Sequence, residues 1–217
     1  APVITSWPTS ASYSEGDGRK KLAEDLELSD ADAAGAGGNL SKAVVKVTGY
    51  VAGEDVFAIG EGGEAQVLSS NSAFAVGTAG DFTYSYEVVD GNQLTLTLSA
   101  VAEAGATPEA FEEVLSELTY ENNAQAPTTD INRTLTLTVT DTSADSEESN
   151  DAVMTLSVGN VNDAPVITSW PTSASYSEGD GAQKLAEHLV LRDDDAAGAG
   201  GNPVSYTHLT LPTKWIV

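Results

Sequence analysis

The sequence predicts an all-β fold, an antiparallel β-sandwich repeated in tandem, and three observations predict it. Leu and Val alternate with Thr in several stretches, most plainly Arg133 to Thr140 (RTLTLTVT) and Ala152 to Val158 (AVMTLSV), the pattern of half-buried antiparallel strands. Phe82 to Val89 and the alternating Leu94, Leu96 and Leu98 flank Asp90-Gly91, the turn chemistry of a β-hairpin. Residues 164–202 replay residues 1–39 almost letter for letter at an offset of 163 (164 − 1), too long for a solenoid unit and right for a whole domain.

Taken in order, residues 2–6 (PVITS) and 11–13 (ASY) read as short strands broken by Pro8, which suits an edge position. Ser14 to Gly18 (SEGDG) is a turn by composition. Leu22, Ala23, Leu26 and Leu28 lead into Asp30 to Asn39 (DADAAGAGGN), a glycine-rich acidic loop that needs something to tie it down. Val44, Val45, Val47 and Val51 mark a further strand, Val56 to Ile59 another, and Gly60 to Glu64 a loop. One segment breaks the β pattern. Thr107-Pro108-Glu109 opens a helix, with Thr as N-cap, Pro at the first helical position and Glu beside the positive dipole end. Phe111, Val114, Leu115 and Leu118 then share one face of a short amphipathic helix near 108–118, expected to close one side of the sandwich; a partner-binding helix is the alternative.

The repeat divides the chain into a complete module, 1–163, the opening of a second, 164–202, and residues 203–217, which have no counterpart in the first copy. The string SYTHLTLPT in that last stretch looks like translated sequencing-adapter sequence, and His208 and Trp215 are given no functional weight. Within the repeated stretch only Arg19/Ala182, Lys20/Gln183, Asp25/His188, Glu27/Val190, Ser29/Arg192 and Ala31/Asp194 differ.

The chain carries 9 Lys+Arg against 33 Asp+Glu, a formal net charge of −24. That balance repels nucleic acid and anionic membrane surfaces and favours hard cations, whose ligands are carboxylate and carbonyl oxygens. Hydrophobic residues make up 41%, enough for a core and too many for an acidic disordered tail. With no cysteine, disulfides and thiolate metal sites are excluded. No apolar run is long enough to span a membrane as a helix.

Four acidic features stand out in order: Glu15 in SEGD, Asp30 and Asp32 in DADAAGAGGN, Asp141 in VTDT, and Asn162-Asp163 in NVNDAP. Together with the opening Ala1-Pro2, with Gly35 and Asn39, and with Asn160-x-Asn162-Asp163-Ala164-Pro165, they resemble the calcium-ligand pattern of the cadherin-like repeat. The runs NVNDAPVI and LTYENNAQAPTTDINRTLTLTVTD resemble more closely the repeats of very large bacterial surface adhesins. The resemblance covers residues 1–39 and roughly 115–202. Asn160 stands where the family has its first Asp, the second Asn of the linker is missing, and Tyr120-Glu121-Asn122 takes the place of Asp-Arg-Glu, so only Glu121 carries over. Residues 50–115 extend the module beyond the usual length and receive no role.

The resemblance implies a Greek-key sandwich of the immunoglobulin/cadherin-like kind and Ca²⁺ as its bound ion. It implies a junction set of Glu15 and Glu121 from the first module, Asn162 and Asp163 from the linker, and Asp193, Asp195 and Asn202 from the second, with Asp194 adding a carboxylate. Asp30, Asp32, Asn39 and Asp141 form the matching half-site at the first module's other end. Calcium takes six to eight oxygens, and extracellular modules bind it with Kd of about 10⁻⁴–10⁻³ M. The implied function is a calcium-stiffened repeat of a bacterial cell-surface adhesin, extracellular, with neighbouring repeats as partners and a host-cell, glycan or homophilic surface as the adhesion target. The stretch Asp141 to Asp151 is expected to be a solvated hairpin loop apart from Asp141.

An EF-hand is excluded, because its twelfth position holds Ser41 or Val204, and no GGxGxD run occurs. No Ser/His/Asp arrangement, HExxH or phosphate-cradling loop is present, and His188 has Asp25 as its counterpart, so an enzyme is not expected. The alternative is a carbohydrate- or ligand-binding sandwich in which Trp7/Trp170 or the pair Tyr84 and Tyr86 stack on sugar rings; alternating tyrosines share a strand face, where core packing competes with that role.

Overall fold

The computed structural model describes residues 1–32, 38–59, 66–68, 75–76 and 82–195. The acidic loop between Asp32 and Gly38, the loop expected at 60–64, and everything from residue 196 on, with Asn202, His208 and Trp215, lie outside the described residues. The chain falls into two compact units, Ala1–Asn160 and Val161–Val217.

The first unit contains strands β1 (Pro2–Ser6), β2 (Ser10–Ser14), β3 (Lys20–Lys21), β4 (Glu27–Asp30), β5 (Leu40–Thr48), β6 (Asp55–Ile59), β7 (Gln66–Val67), β8 (Ala75–Val76), β9 (Phe82–Val89) and β10 (Gln93–Ala100), then helix α1 (Pro108–Ser116), then β11 (Leu118–Asn122), β12 (Arg133–Asp141) and β13 (Ala152–Gly159). One sheet runs β2-β13-β12-β5-β10-β9-β8, a second runs β3-β11-β6-β7, and β1 and β4 pair separately. Tyr13 of the first sheet meets Tyr120 of the second edge-on, ring centroids 5.1 Å apart, so the two sheets share one core. On β12 the inward positions Leu135, Leu137 and Val139 are fully buried while Thr134, Thr136 and Thr138 are half-buried, as the alternation requires.

The β9–β10 hairpin turns through Asp90 at φ 53° and Gly91 at φ 75°. Only Gly, Asn and Asp tolerate that left-handed region well, which is why Asp-Gly sits there. The first unit departs from the purely antiparallel expectation at one pairing: β2 runs parallel to β13, with Thr155 opposite Ser10 and Gly159 opposite Ser14. These strands are remote in sequence, so no hairpin forces them antiparallel. The break at Pro8 lets the chain cross to that edge.

Helix α1 starts as its sequence dictates. The Thr107 hydroxyl accepts from the Ala110 amide at 3.4 Å, and Pro108 occupies the first turn. It stops at Ser116, one turn-closing amide later, so Leu118 opens β11 instead of extending the helical face. Phe111, Val114 and Leu115 are buried, and Phe111 lies edge-on to Phe82 with centroids 4.8 Å apart. The apolar face therefore belongs to the core and is not open to a partner. Tyr84 and Tyr86 are also buried, and the Tyr86 hydroxyl donates to that of Tyr50 at 2.9 Å. That removes the tyrosine pair as a sugar-stacking platform.

In the second unit β14 (Val166–Ser169) pairs β15 (Val190–Arg192) antiparallel. Val166 faces Arg192, Ile167 faces Leu191 and Ser169 faces Val190, which reproduces the β1–β4 register and its bulge at the 163-residue offset. All six residues of the first copy that differ in the second are exposed in the first unit, so the positions that build its core are unchanged.

Candidate metal centre

The end of the first unit where β5 begins and β12 finishes gathers four of the acidic and amide residues singled out in the sequence. Asp141 closes β12 opposite Leu40, after a register shift at Thr140 that turns its side chain into the following loop. Its Oδ1 accepts from the Ser143 amide (3.0 Å), the Ser143 hydroxyl (2.6 Å) and the Glu147 amide (3.0 Å). Its own amide donates to the Glu147 carbonyl at 3.1 Å. The side chain is wholly buried, yet Oδ2 has no hydrogen-bond partner. Burial pushes this carboxyl up, but the Ser143 hydroxyl and the Ser143 and Glu147 amides outweigh it, and the group titrates below the usual aspartate range.

Asp30 and Asn39 repeat that arrangement. Asp30 Oδ1 accepts from the Asp32 amide at 2.9 Å, and its Oδ2 is buried without a partner. Asn39 donates through Nδ2 to the Ala104 carbonyl at 2.8 Å, while its Oδ1 is buried without a partner. The Asn39 carbonyl also accepts from the Thr142 amide at 2.9 Å, which ties it to the chain just past Asp141. In each of the three residues one arm is fixed by the protein and an oxygen is left over. A buried acceptor with no donor is costly, and such groups call for a positive partner.

The nitrogen of Ala1 lies at this end too, 2.8 Å from Glu147, 3.8 Å from Asp32 and 4.0 Å from Asp141 Oδ2; its counterpart in the second copy, Ala164, follows Asp163 through a peptide bond. The loop after Asp141 is exposed from Ala144 to Glu148, as its composition suggests, and it folds back so that the Glu147 backbone returns to the end of β12. Asn150 does the same one turn later, accepting from the Ile4 amide at 3.1 Å and so anchoring β1 beside the cluster. Among the described residues no three His, Asp or Glu side chains are already drawn together as a metal-ligand group. The unpartnered oxygens of Asp30, Asn39 and Asp141 are what fit a cation here.

The other implied ligands are spread over both units. Glu15 follows β2, its amide donating to the Gly159 carbonyl at 2.9 Å, at the end of the first unit where β13 finishes. Glu121 sits on β11 and pairs with Arg19, Nε to Oε2 3.3 Å. In the second unit Asn162 donates to the Asp163 carbonyl at 2.9 Å, and Asp195 Oδ2 accepts from the Asp163 amide at 2.8 Å. The Asp195 amide reaches Asp193 Oδ1 at 3.3 Å, the counterpart of the Asp32-to-Asp30 bond. Asp194 pairs with Arg192. Asn202 is outside the described residues.

No protein-family model matches this chain, and its sequence matches no curated protein.

Proposed function

We propose that the chain is a calcium-stiffened extracellular repeat of a bacterial cell-surface adhesin, its first unit a Greek-key sandwich of the cadherin-like kind. One observation carries the reading. Asp30, Asn39 and Asp141, three residues of the implied half-site, each keep a buried side-chain oxygen without a hydrogen-bond partner at the same end of the first unit. With Asp32 they would hold the ion, and calcium, when bound, supplies the positive charge that turns carboxylate repulsion into coordination. The net charge of −24 favours such an ion and disfavours nucleic acid. The stiffening is read from the sequence, where Asn162 and Asp163 lie between two ligand sets, and adhesion follows from the family resemblance. A sugar-binding module has less support, since Tyr84 and Tyr86 are core residues.

Calorimetry of the whole chain with calcium tests the reading. Uptake with Kd of about 10⁻⁴–10⁻³ M supports it. Absence of uptake through the millimolar range would remove it. Small-angle scattering that does not change between calcium and chelator would remove the stiffening while leaving the ion.

A further inference from the structure

We propose that the turn at 101–106, between β10 and helix α1, is a positioning element of the candidate calcium half-site, with Gly105 as the residue that lets it approach; the inference rests on the calcium reading above. The turn lies within residues 50–115, the stretch to which the resemblance gives no role. A carboxamide carries a donor arm and an acceptor arm, and only the oxygen can serve a cation. Asn39 has its donor arm committed: Nδ2 donates to the Ala104 carbonyl at 2.8 Å, which leaves Oδ1 buried and without a partner. Were the Ala104 carbonyl elsewhere, the amide could turn its NH2 toward the ion and repel it.

The turn is pinned to both ligand-bearing segments. Its own closure is the Gly105 amide donating to the Ala102 carbonyl at 2.9 Å. Leu40, the residue after Asn39, exchanges two backbone bonds with Ala106, its amide donating at 2.8 Å and its carbonyl accepting at 2.9 Å. From the other side, the Thr142 amide and hydroxyl donate to the Asn39 carbonyl at 2.9 and 3.2 Å. That joins the same place to Asp141, whose wholly buried side chain also keeps an oxygen, Oδ2, without a hydrogen-bond partner. Gly105 sits where these segments meet, at φ 72°. A Cβ there would lie 2.5 Å from the Leu40 carbonyl oxygen and 2.5 Å from Thr142 Cγ2. The first is backbone and cannot step aside, so a side chain at 105 moves the turn, and the Ala104 carbonyl with it.

The test is calorimetric titration of calcium chloride into the full chain and into Gly105→Asn and Gly91→Asn, with urea unfolding of each in chelator. Asn enters the left-handed region at little cost, so Gly105→Asn isolates the collision with Leu40 from backbone strain. Gly91, at φ 75° in the β9–β10 hairpin, has nothing within 4 Å of its Cβ position and is the control. Gly105→Asn is expected to bind calcium at least about tenfold more weakly, and Gly91→Asn within about twofold of the parent, because the partner that orients a metal ligand is typically worth about ten- to a hundredfold in affinity. The same Kd in both variants, whatever their stabilities, would make Gly105 a structural residue only and leave the calcium reading intact. Should Gly105→Asn not fold, amide NMR of the parent chain decides without a substitution. The Asn39 side-chain NH2 should exchange more slowly than that of the exposed Asn132, with and without calcium, and equal exchange would likewise overturn the role of the turn. No calcium uptake by the parent chain would overturn both readings.

Discussion

Arg133 and Asp55 meet inside the first unit with neither side chain exposed, Arg133 Nε 3.0 Å from Asp55 Oδ2 and NH2 2.9 Å from Oδ1. The rest of the guanidinium is used as well, NH1 donating to the Thr128 and Ile131 carbonyls at 2.6 and 2.8 Å. Asp55 in turn accepts from the Tyr120 hydroxyl (2.6 Å), Asn122 Nδ2 (3.1 Å) and the Val51 amide (2.8 Å). The pair thus joins β12 of one sheet to β6 and β11 of the other. Breaking a buried pair strands the remaining charge, so Arg133→Met alone should cost about 3–5 kcal/mol in urea unfolding. Adding Asp55→Asn should recover part of that loss, because the second change removes the stranded carboxylate. Strict additivity of the two substitutions would show that the charges do not depend on each other.

At the candidate metal centre, Asp30→Asn should change sign with conditions. In chelator it removes one negative charge and a buried carboxylate oxygen without a partner, while Asn keeps an oxygen for the Asp32 amide. Stability should then hold or rise by up to about 1 kcal/mol. In saturating calcium the parent gains by mass action, about 2.7 kcal/mol at a concentration one hundred times Kd, and the variant gains less. Paired melts in calcium and chelator check this. A loss of equal size in both conditions would mean that Asp30 is a structural residue only.

Helix α1 gives a prediction away from the site. Thr107→Ala removes the acceptor for the Ala110 amide and should cost about 1 kcal/mol. Glu109, exposed in the first turn, is held below the usual glutamate range by a backbone amide bond and by Thr107. A carboxyl lowered on folding contributes stability above its unfolded pKa of about 4.3, and that contribution is lost as pH falls through the folded value. Glu109→Gln should therefore flatten the acid limb of the stability curve below about pH 4.3 and leave it unchanged near neutrality in slope. A steeper acid limb in the variant would contradict the shift.

The sequence made much of this legible. Strand alternation located β12 and β13, Asp90-Gly91 located the hairpin, and Thr107-Pro108 located the helix start, because each depends on neighbours within a few residues. The ligand pattern brought Asp30, Asp32, Asn39 and Asp141 to one end of one unit. The return of the β12–β13 loop onto Asp141 was hidden because it depends on how a loop folds back, which no local preference encodes. The parallel β2–β13 pair was hidden for a related reason, joining residues 145 apart (155 − 10). Arg133 was readable and missed: it shares parity with Leu135, Leu137 and Val139, the inward face of β12, so an arginine there demanded a buried acid.

The repeated segment separates local from tertiary stability within one chain. The β14–β15 hairpin has the register of β1–β4, and Thr168 donates to the Val190 carbonyl at 3.2 Å as Thr5 does to that of Glu27. Burial differs sharply: Ile4 and Tyr13 are 7% and 2% exposed, whereas their counterparts Ile167 and Tyr176 are 60% and 67% exposed. A two-stranded hairpin without a core is at best marginally stable, and amide protection follows the free energy of local opening. Hydrogen exchange should therefore show strong protection across residues 2–28 and, for residues 165–191, rates within about tenfold of an unstructured chain. Peptides that reach past residue 18 in the first copy or 181 in the second carry one or more of the six substitutions and so differ in mass, and the comparison is read on those. Equal protection would mean that residues 164–195 find a cover of their own, since nothing in their local sequence sets them apart from the protected copy.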